Sequence, residues 1–337
     1  MVNVLVTGGA GFIGSNFVRH ALVTHPDWKI TNLDKLTYAG RLENLTGVLD
    51  HPRHEFIKGD VADAAVAAPL VTDANLVVHF AAETHVDRSI LAAGEFITTD
   101  VFGTFVLLEA ARHAHGLRRF IQISTDEVYG SVASGSSRET DELRPRNPYS
   151  ASKAGADRLA YSYWATYDVP VVITRASNNY GPYQFPEKII PLFVTNALDD
   201  IPLPLYGDGM NERDWLHVSD HCRALEVVIE RGVPGEVYNI GGGNHVRNAD
   251  LTRRILSLAG KPESLIRPVP DRPGHDRRYS LDTTKLRTLG WTPQVDFETG
   301  LAETVTWYRE NESWWRPIKE QDPAFKAYYQ AQYGHRS

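Results

Sequence analysis

Short apolar runs alternate with longer segments of helical periodicity through the first half of the chain. Val2–Thr7 and the stretches 29–33, 55–58, 76–81, 119–124 and 169–174 are too short for helices and carry Val, Ile, Leu and Phe with few charges. Such runs suit strands buried on both faces. Residues 14–23, 95–114 and 151–167 read as helices between them. This β-α-β alternation predicts an α/β fold, a parallel sheet covered on both sides.

The pattern becomes irregular after about residue 180, where prolines at 182, 186, 191, 202 and 204 break it into loops and short helices. Val237–Ile240, followed by three glycines, reads as a strand rejoining the sheet. A second, smaller lobe is therefore expected, with its boundary crossed more than once. The small polar stretch 131–137 reads as a mobile segment or lid. The tail after Trp315 has no clear pattern, and no repeat is visible.

Composition narrows the function classes. The 337 residues, 42% hydrophobic and 23% charged, suffice for one large soluble domain and a smaller one. A net charge of −7 argues against a nucleic-acid partner. The single Cys222 cannot form an internal disulfide, which favours a reducing cytoplasm, and it reads as a spectator thiol. The start lacks a basic leader region, and nothing approaches the ~20 apolar residues that span a bilayer. The thirteen histidines show no metal-binding spacing, so no metal is expected in catalysis.

Candidate chemistry begins at Gly8-Gly9-Ala10-Gly11-Phe12-Ile13-Gly14, between the first strand and its helix. Glycines there permit a tight turn and let a pyrophosphate approach backbone N–H groups at a helix N-terminus. Asp34 follows at the distance expected of a ribose-binding carboxylate, which favours NAD over NADP, although the neighbouring Lys35 would soften repulsion of a 2′-phosphate. Asp60-Val61 could reach the adenine. Phe80-Ala81-Ala82 ends the fourth strand with residues small enough for close backbone approach.

Tyr149 and Lys153 lie four residues apart on one helix face, after Asn147-Pro148. A nearby ammonium lowers a phenol's pKa and prepares it to take a proton as hydride leaves the same carbinol. Asp126 and Glu127, after Thr125 at the end of the 119–124 strand, put two adjacent carboxylates there, which read either as solvated strand-end residues or as an acid and a base beside that site.

These motifs, with Asn178-Asn179-Tyr180-Gly181-Pro182, resemble the extended short-chain dehydrogenase/reductase family. The stretches 82–89, 125–130 and 272–276 are similar to its nucleotide-sugar 4,6-dehydratases. The resemblance implies a doubly wound Rossmann sheet over 1–178, rejoined by a segment near 214–245, and a mixed α/β substrate lobe over 179–337. It also implies bound NAD, a dTDP-glucose substrate, and a homodimer formed through helices of the first lobe. The apolar stripe of Phe102, Phe105, Val106 and Leu108 is compatible with that pairing and equally with burial in one subunit.

For NAD the resemblance adds Phe12, Ile13, Leu36, Thr37, Thr84, Thr99 and Asn178, beside Tyr149 and Lys153. For the sugar nucleotide it implies Thr84, Thr125, Asn179, Ile189, Pro204, Asn248, His275 and Tyr279. Lys188, Arg213 and Arg272 are implied at the diphosphate and Tyr206 at the base. Thr84 stands where the family carries serine, keeping the hydroxyl. Tyr149 would oxidise C4 with NAD, Glu127 would take the C5 proton and Asp126 would protonate the leaving 6-hydroxyl. UDP-sugar 4-epimerases and decarboxylases share the scaffold. An NAD-sensing protein would leave the acid pair without a task.

Overall fold

The computed structural model describes residues 1–334; the last three residues of the expected second lobe lie outside the described residues. Its strands are β1 (Val2–Thr7), β2 (Trp28–Asp34), β3 (His54–Lys58), β4 (Leu76–His79), β5 (Arg119–Thr125), β6 (Val171–Ala176), β7 (Asn178–Tyr180), β8 (Leu203–Tyr206), β9 (Glu212–His217), β10 (Val237–Ile240), β11 (His245–Arg247) and β12 (Ile266–Val269). Seven form one all-parallel sheet in the order β3-β2-β1-β4-β5-β6-β10. Val4, Leu5, Val6, Val77, Val78, Phe120 and Ile121 are almost fully buried, because helices cover both faces. The chain reverses strand order between β1 and β4, and a crevice opens beyond their carboxyl ends.

The remaining strands make a three-stranded sheet, β7-β9-β11, and a two-stranded one, β8-β12. They pack with helix Ile189–Leu198, helix Asn248–Ala259 and helix Phe297–Glu310 around a separate apolar core containing Trp215, Tyr308 and Trp315. This smaller lobe closes the far side of the crevice.

One reading from periodicity changes, and two stretches without a periodic pattern take on structure. The helix expected over 95–114 is broken into Ala93–Phe96, a π-helical turn Ile97–Phe102 and Gly103–Arg112. Within that turn the buried Asp100 accepts from Ser152 Oγ (2.6 Å) and Glu83 N (2.8 Å), contacts that periodicity does not encode. The tail is ordered into helix Glu312–Gln321, helix Pro323–Tyr329 and a π-helical turn Gln330–Gly334. The 131–137 stretch is laced to a second segment. Val132 N donates to Arg278 O, Ser137 N to Ser280 O, and Ser136 Oγ meets Ser280 Oγ at 2.8 Å. Strand ends also move by one or two residues, so that Phe80 and Ala81 lie beyond β4.

Candidate active site

The crevice holds a cavity of about 280 Å³, and its inner end is the turn after β1. Gly8 has φ +71°, and a Cβ there would sit 2.5 Å from Ala81 N, just beyond β4. A Cβ at Gly14 would collide with Gly8 O. Glycine is thus required where two strand ends meet. Helix Phe12–Thr24 starts from Gly11 without a side-chain cap, and Gly11, Phe12, Ile13 and Gly14 line the cavity. Unsatisfied N–H groups and the helix dipole favour an anion there.

Asp34, at the end of β2, accepts from Ala10 N (2.9 Å) and Leu36 N (2.8 Å). Burial raises its pKa, and those two bonds oppose the rise. Leu36 does not line the cavity; at φ +57° its backbone steadies the carboxylate instead. The Lys35 ammonium is engaged 2.7 Å from Asp60, so it is not a free counter-charge for a phosphate. Thr37, Val61, Phe80, Ala81, Ala82, Thr84, Thr99 and Asn178 all line the same cavity.

At the other end, β5 delivers Thr125 into a short 3-10 turn, Asp126–Tyr129. Thr125 Oγ1 accepts from Glu127 N (3.3 Å) and donates to Asp126 Oδ1 (3.2 Å). Asp126 is 2% exposed, and its Oδ2 has no hydrogen-bond partner among the described residues. Burial first, and the negative Glu127 and Asp214 second, hold its pKa well above the carboxylate range. Asp126, Glu127, Tyr149 and Lys153 line one cavity.

Tyr149 sits in the first turn of helix Pro148–Tyr167, which a reciprocal Asn147–Ser150 capping box anchors. Lys153 Nζ is buried and donates to Ile123 O at 2.7 Å. The expected lowering of the Tyr149 pKa is not what the protein alone produces. Burial leads, Glu127 and Asp100 add negative charge, and the phenol is pushed well above its usual value despite a bond to Thr125. Burial, with the acids behind it, sets that direction, and the Lys153 ammonium is directed at Ile123 O.

A second cavity of about 140 Å³ adjoins the first, and Glu127, Asn178, Asn179, Gln184, Glu187 and Lys188 line both. Its walls include Ile189, Pro204, Tyr206, Arg213, Asn248, Arg272 and His275. Three cations converge here: Lys188 donates to Thr84 O (2.5 Å), Arg213 to Asp276 O (3.0 Å), and Arg272 pairs with Asp87 (2.8 Å). Tyr279 lines neither cavity. It stands behind Glu127, 3.4 Å from Oε2, donates to Asp276 Oδ2 (2.7 Å) and lies under the Arg213 guanidinium.

Sequence reasoning passed over several groups. Glu83 lines the first cavity with a pKa raised to about 7, and Asp100 behind it is raised to about 6, both chiefly by burial. Asp87 and Tyr333 line the second cavity. Asp87 falls inside a stretch that carried the resemblance, whereas Tyr333 lies in the tail, whose sequence shows no clear pattern. Among the described residues, His25, Glu226 and Glu230 could together hold a metal ion, and none of them lines either cavity.

Comparison with known proteins bears on this arrangement. Residues 5–304 match the family model described as GDP-mannose 4,6 dehydratase. The chain is 53% identical over 328 residues to a dTDP-glucose 4,6-dehydratase of Streptomyces niveus, covering 96% of this chain and 97% of that one. The crystal structure of DesIV, a dTDP-glucose 4,6-dehydratase from Streptomyces venezuelae with NAD and a second ligand bound, is 53% identical. It superposes with a TM-score of 0.92, covering 94% of this chain and 100% of that one. A UDP-glucuronic acid 4-epimerase from Bacillus cereus, in complex with UDP-glucuronic acid and NAD, is 29% identical with a TM-score of 0.87, covering 92% and 99%.

Proposed function

The chain belongs to the dTDP-glucose 4,6-dehydratase family, and on that premise we propose that it converts dTDP-glucose to dTDP-4-keto-6-deoxyglucose with resident NAD. The observation that carries this reading is that Asp126 and Glu127 turn into the cavity that holds Tyr149. An epimerase removes no water and has no task for a second, protonated carboxyl.

The residues present fit a dinucleotide. The glycine turn leaves a cradle that a Cβ would fill, the uncapped helix start suits a pyrophosphate, and Asp34 and Asp60 stand where the ribose and adenine would lie. Bound there, NAD supplies the oxidant at C4 and the reductant at C6, so the cycle needs no external redox equivalent. Lys188, Arg213 and Arg272 would hold the diphosphate with charge-assisted bonds, with Tyr206, Asn248 and His275 around the base.

Each proton then has a carrier. Thr125 Oγ1 orients the hexose O4 and Tyr149 Oη takes the 4-hydroxyl proton as a phenolate, a form that burial disfavours in the protein alone and that Lys153 together with the positive nicotinamide of bound NAD would favour. A carbonyl at C4 makes the C5 proton acidic; Glu127 takes it and gives a proton back to C5 when C6 is reduced. Asp126 gives its own proton to O6, which departs as water. The neighbouring acids thus work in opposite protonation states.

Incubation with dTDP-glucose should give the alkali-induced chromophore of a 4-keto-6-deoxy sugar, and Glu127→Gln should reduce its bound NAD yet exchange no C5 hydrogen with deuterated water. Absence of the chromophore, or wild-type exchange in the variant, would overturn this assignment.

We further propose that two copies pair through helix Gly103–Arg112 and helix Pro148–Tyr167. Val106 and Leu108 are buried within the subunit, whereas Phe102 and Phe105 on the same stripe are exposed, as are Ile97, Tyr161 and Tyr167 nearby. The buried thiol Cys222, its pKa pushed up to about 12, suits a reducing cytoplasm. No helix among the described residues is long and apolar enough to cross a membrane.

A further inference from the structure

The second cavity is not closed by the smaller lobe's sheets alone, because part of its wall comes from the far end of the chain. Helix Pro323–Tyr329 is anchored at its start, where Asp322 accepts from Ala324 N (2.8 Å) and Phe325 N (3.1 Å). Phe325 is buried against Phe185, a residue lining the first cavity, with ring centroids 6.1 Å apart. The turn Gln330–Gly334 then brings Tyr333 into the wall of the second cavity, its ring 6.2 Å from that of Tyr206 and its Oη 3.4 Å from Tyr206 Oη.

Beneath this wall lies Asp87, 4% exposed. Its Oδ1 accepts from Arg272 (2.8 Å). Its Oδ2 accepts from Tyr206 Oη (3.1 Å), Tyr328 Oη (3.2 Å) and Gln332 Nε2 (3.3 Å), and Gln332 also donates to Tyr206 Oη. The carboxylate is therefore shared between two cavity-lining side chains and two donors from the tail. A carboxylate this deeply buried needs those donors, so the tail's position and that of Arg272 and Tyr206 are set together.

We propose that the C-terminal tail is part of the substrate site: Tyr333 walls the compartment that takes the nucleotide half of a nucleoside-diphosphate sugar, and Gln332 and Tyr328 act as positioning residues that fix Arg272 and Tyr206 through Asp87. The proposal rests on the dehydratase reading for the identity of the ligand, and on the geometry alone for the tail's involvement. An aromatic ring forming one side of a binding compartment contributes through buried contact area, and its truncation weakens the ground-state complex and the transition state equally.

In NAD-loaded enzyme, Tyr333→Ala should raise KM for dTDP-glucose and Kd for dTDP by about tenfold or more, with kcat within about twofold. Tyr333→Phe, which keeps the ring, should restore most of the affinity. A Tyr333→Ala variant with wild-type KM and Kd, or one in which kcat falls while KM holds, overturns the proposal. An independent measurement on the wild-type chain needs no variant to fold: dTDP should protect the amides of residues 328–334 from hydrogen exchange, and unchanged exchange there also overturns it. Should the wild-type chain bind dTDP in this way yet convert no dTDP-glucose, the dehydratase reading falls and the tail's role stands.

Discussion

Asp126 joins stability and chemistry in one side chain. An acid whose pKa is higher folded than unfolded binds its proton more tightly in the native state. Its stabilising contribution is full below the unfolded value, near pH 4, and is lost as pH rises through the folded one. Burial and the negative Glu127 place Asp126 in that class, and Glu83 and Asp100 follow the same sign up to about pH 7 and 6. On the proposed mechanism activity has the same direction, since only the protonated form can donate to O6. Asp126→Asn should lower kcat by about 10²- to 10⁴-fold. It should also raise the melting temperature by a few degrees at neutral to alkaline pH, with little change below about pH 4. Thermal melts and rates measured across that range check both, and a melting temperature that falls at alkaline pH would contradict the account. Asp157 runs the other way: paired with Arg175 at 2.8 Å and held below its usual pKa, it stabilises at neutral pH and loses that contribution in acid.

At the scale of elements, the site is assembled from strand ends and helix starts. The turn after β1 works because three chain segments approach within contact distance. Gly14→Ala should therefore displace the turn, and purified protein should retain little NAD when the extracted nucleotide is quantified. Gly94→Ala is the matched control, because a Cβ there meets nothing within 4 Å; it should keep its cofactor. The same logic explains how the reactive groups were legible. Gly8–Gly14, Asp126-Glu127 and Tyr149/Lys153 sit in local turns and caps whose residues are neighbours in sequence. The π-helical turn was not legible, because its cause is Asp100 reaching Ser152, 52 positions away.

For the whole molecule, the exposed aromatic face is the feature on which the proposed pairing rests. Helix Gly103–Arg112 and helix Pro148–Tyr167 are tied by Tyr163 Oη donating to Glu109 (2.5 Å) and by Arg112 over the Tyr167 ring at 4.0 Å. Phe105 on their outer surface is 39% exposed, and Phe102 at the end of the preceding π-helical turn is 48% exposed, an apolar patch that pairing would cover. Phe105→Glu should halve the mass measured by light scattering, since a charge buried unpaired in a symmetric interface is repeated on both copies. A wild-type chain already of monomer mass would refute the pairing.

The alternation of apolar runs and amphipathic stretches determined by itself that a parallel sheet forms, because strands buried on both faces must be apolar nearly throughout and helices must cover them. Spacing within single turns likewise marked the glycine turn and the phenol–ammonium pair, whereas the acid pair stood out only through the family resemblance of the residues around it. Tertiary structure alone decided how those pieces meet: that Leu36 steadies Asp34 rather than lining the cavity, that Tyr279 stands behind Glu127, and that a tail without visible pattern reaches Asp87 across about 245 positions. The reason is physical. Local pattern reports which face of an element is buried, whereas pKa values and cavity walls depend on charges and donors delivered by distant segments, and no periodicity records their arrival.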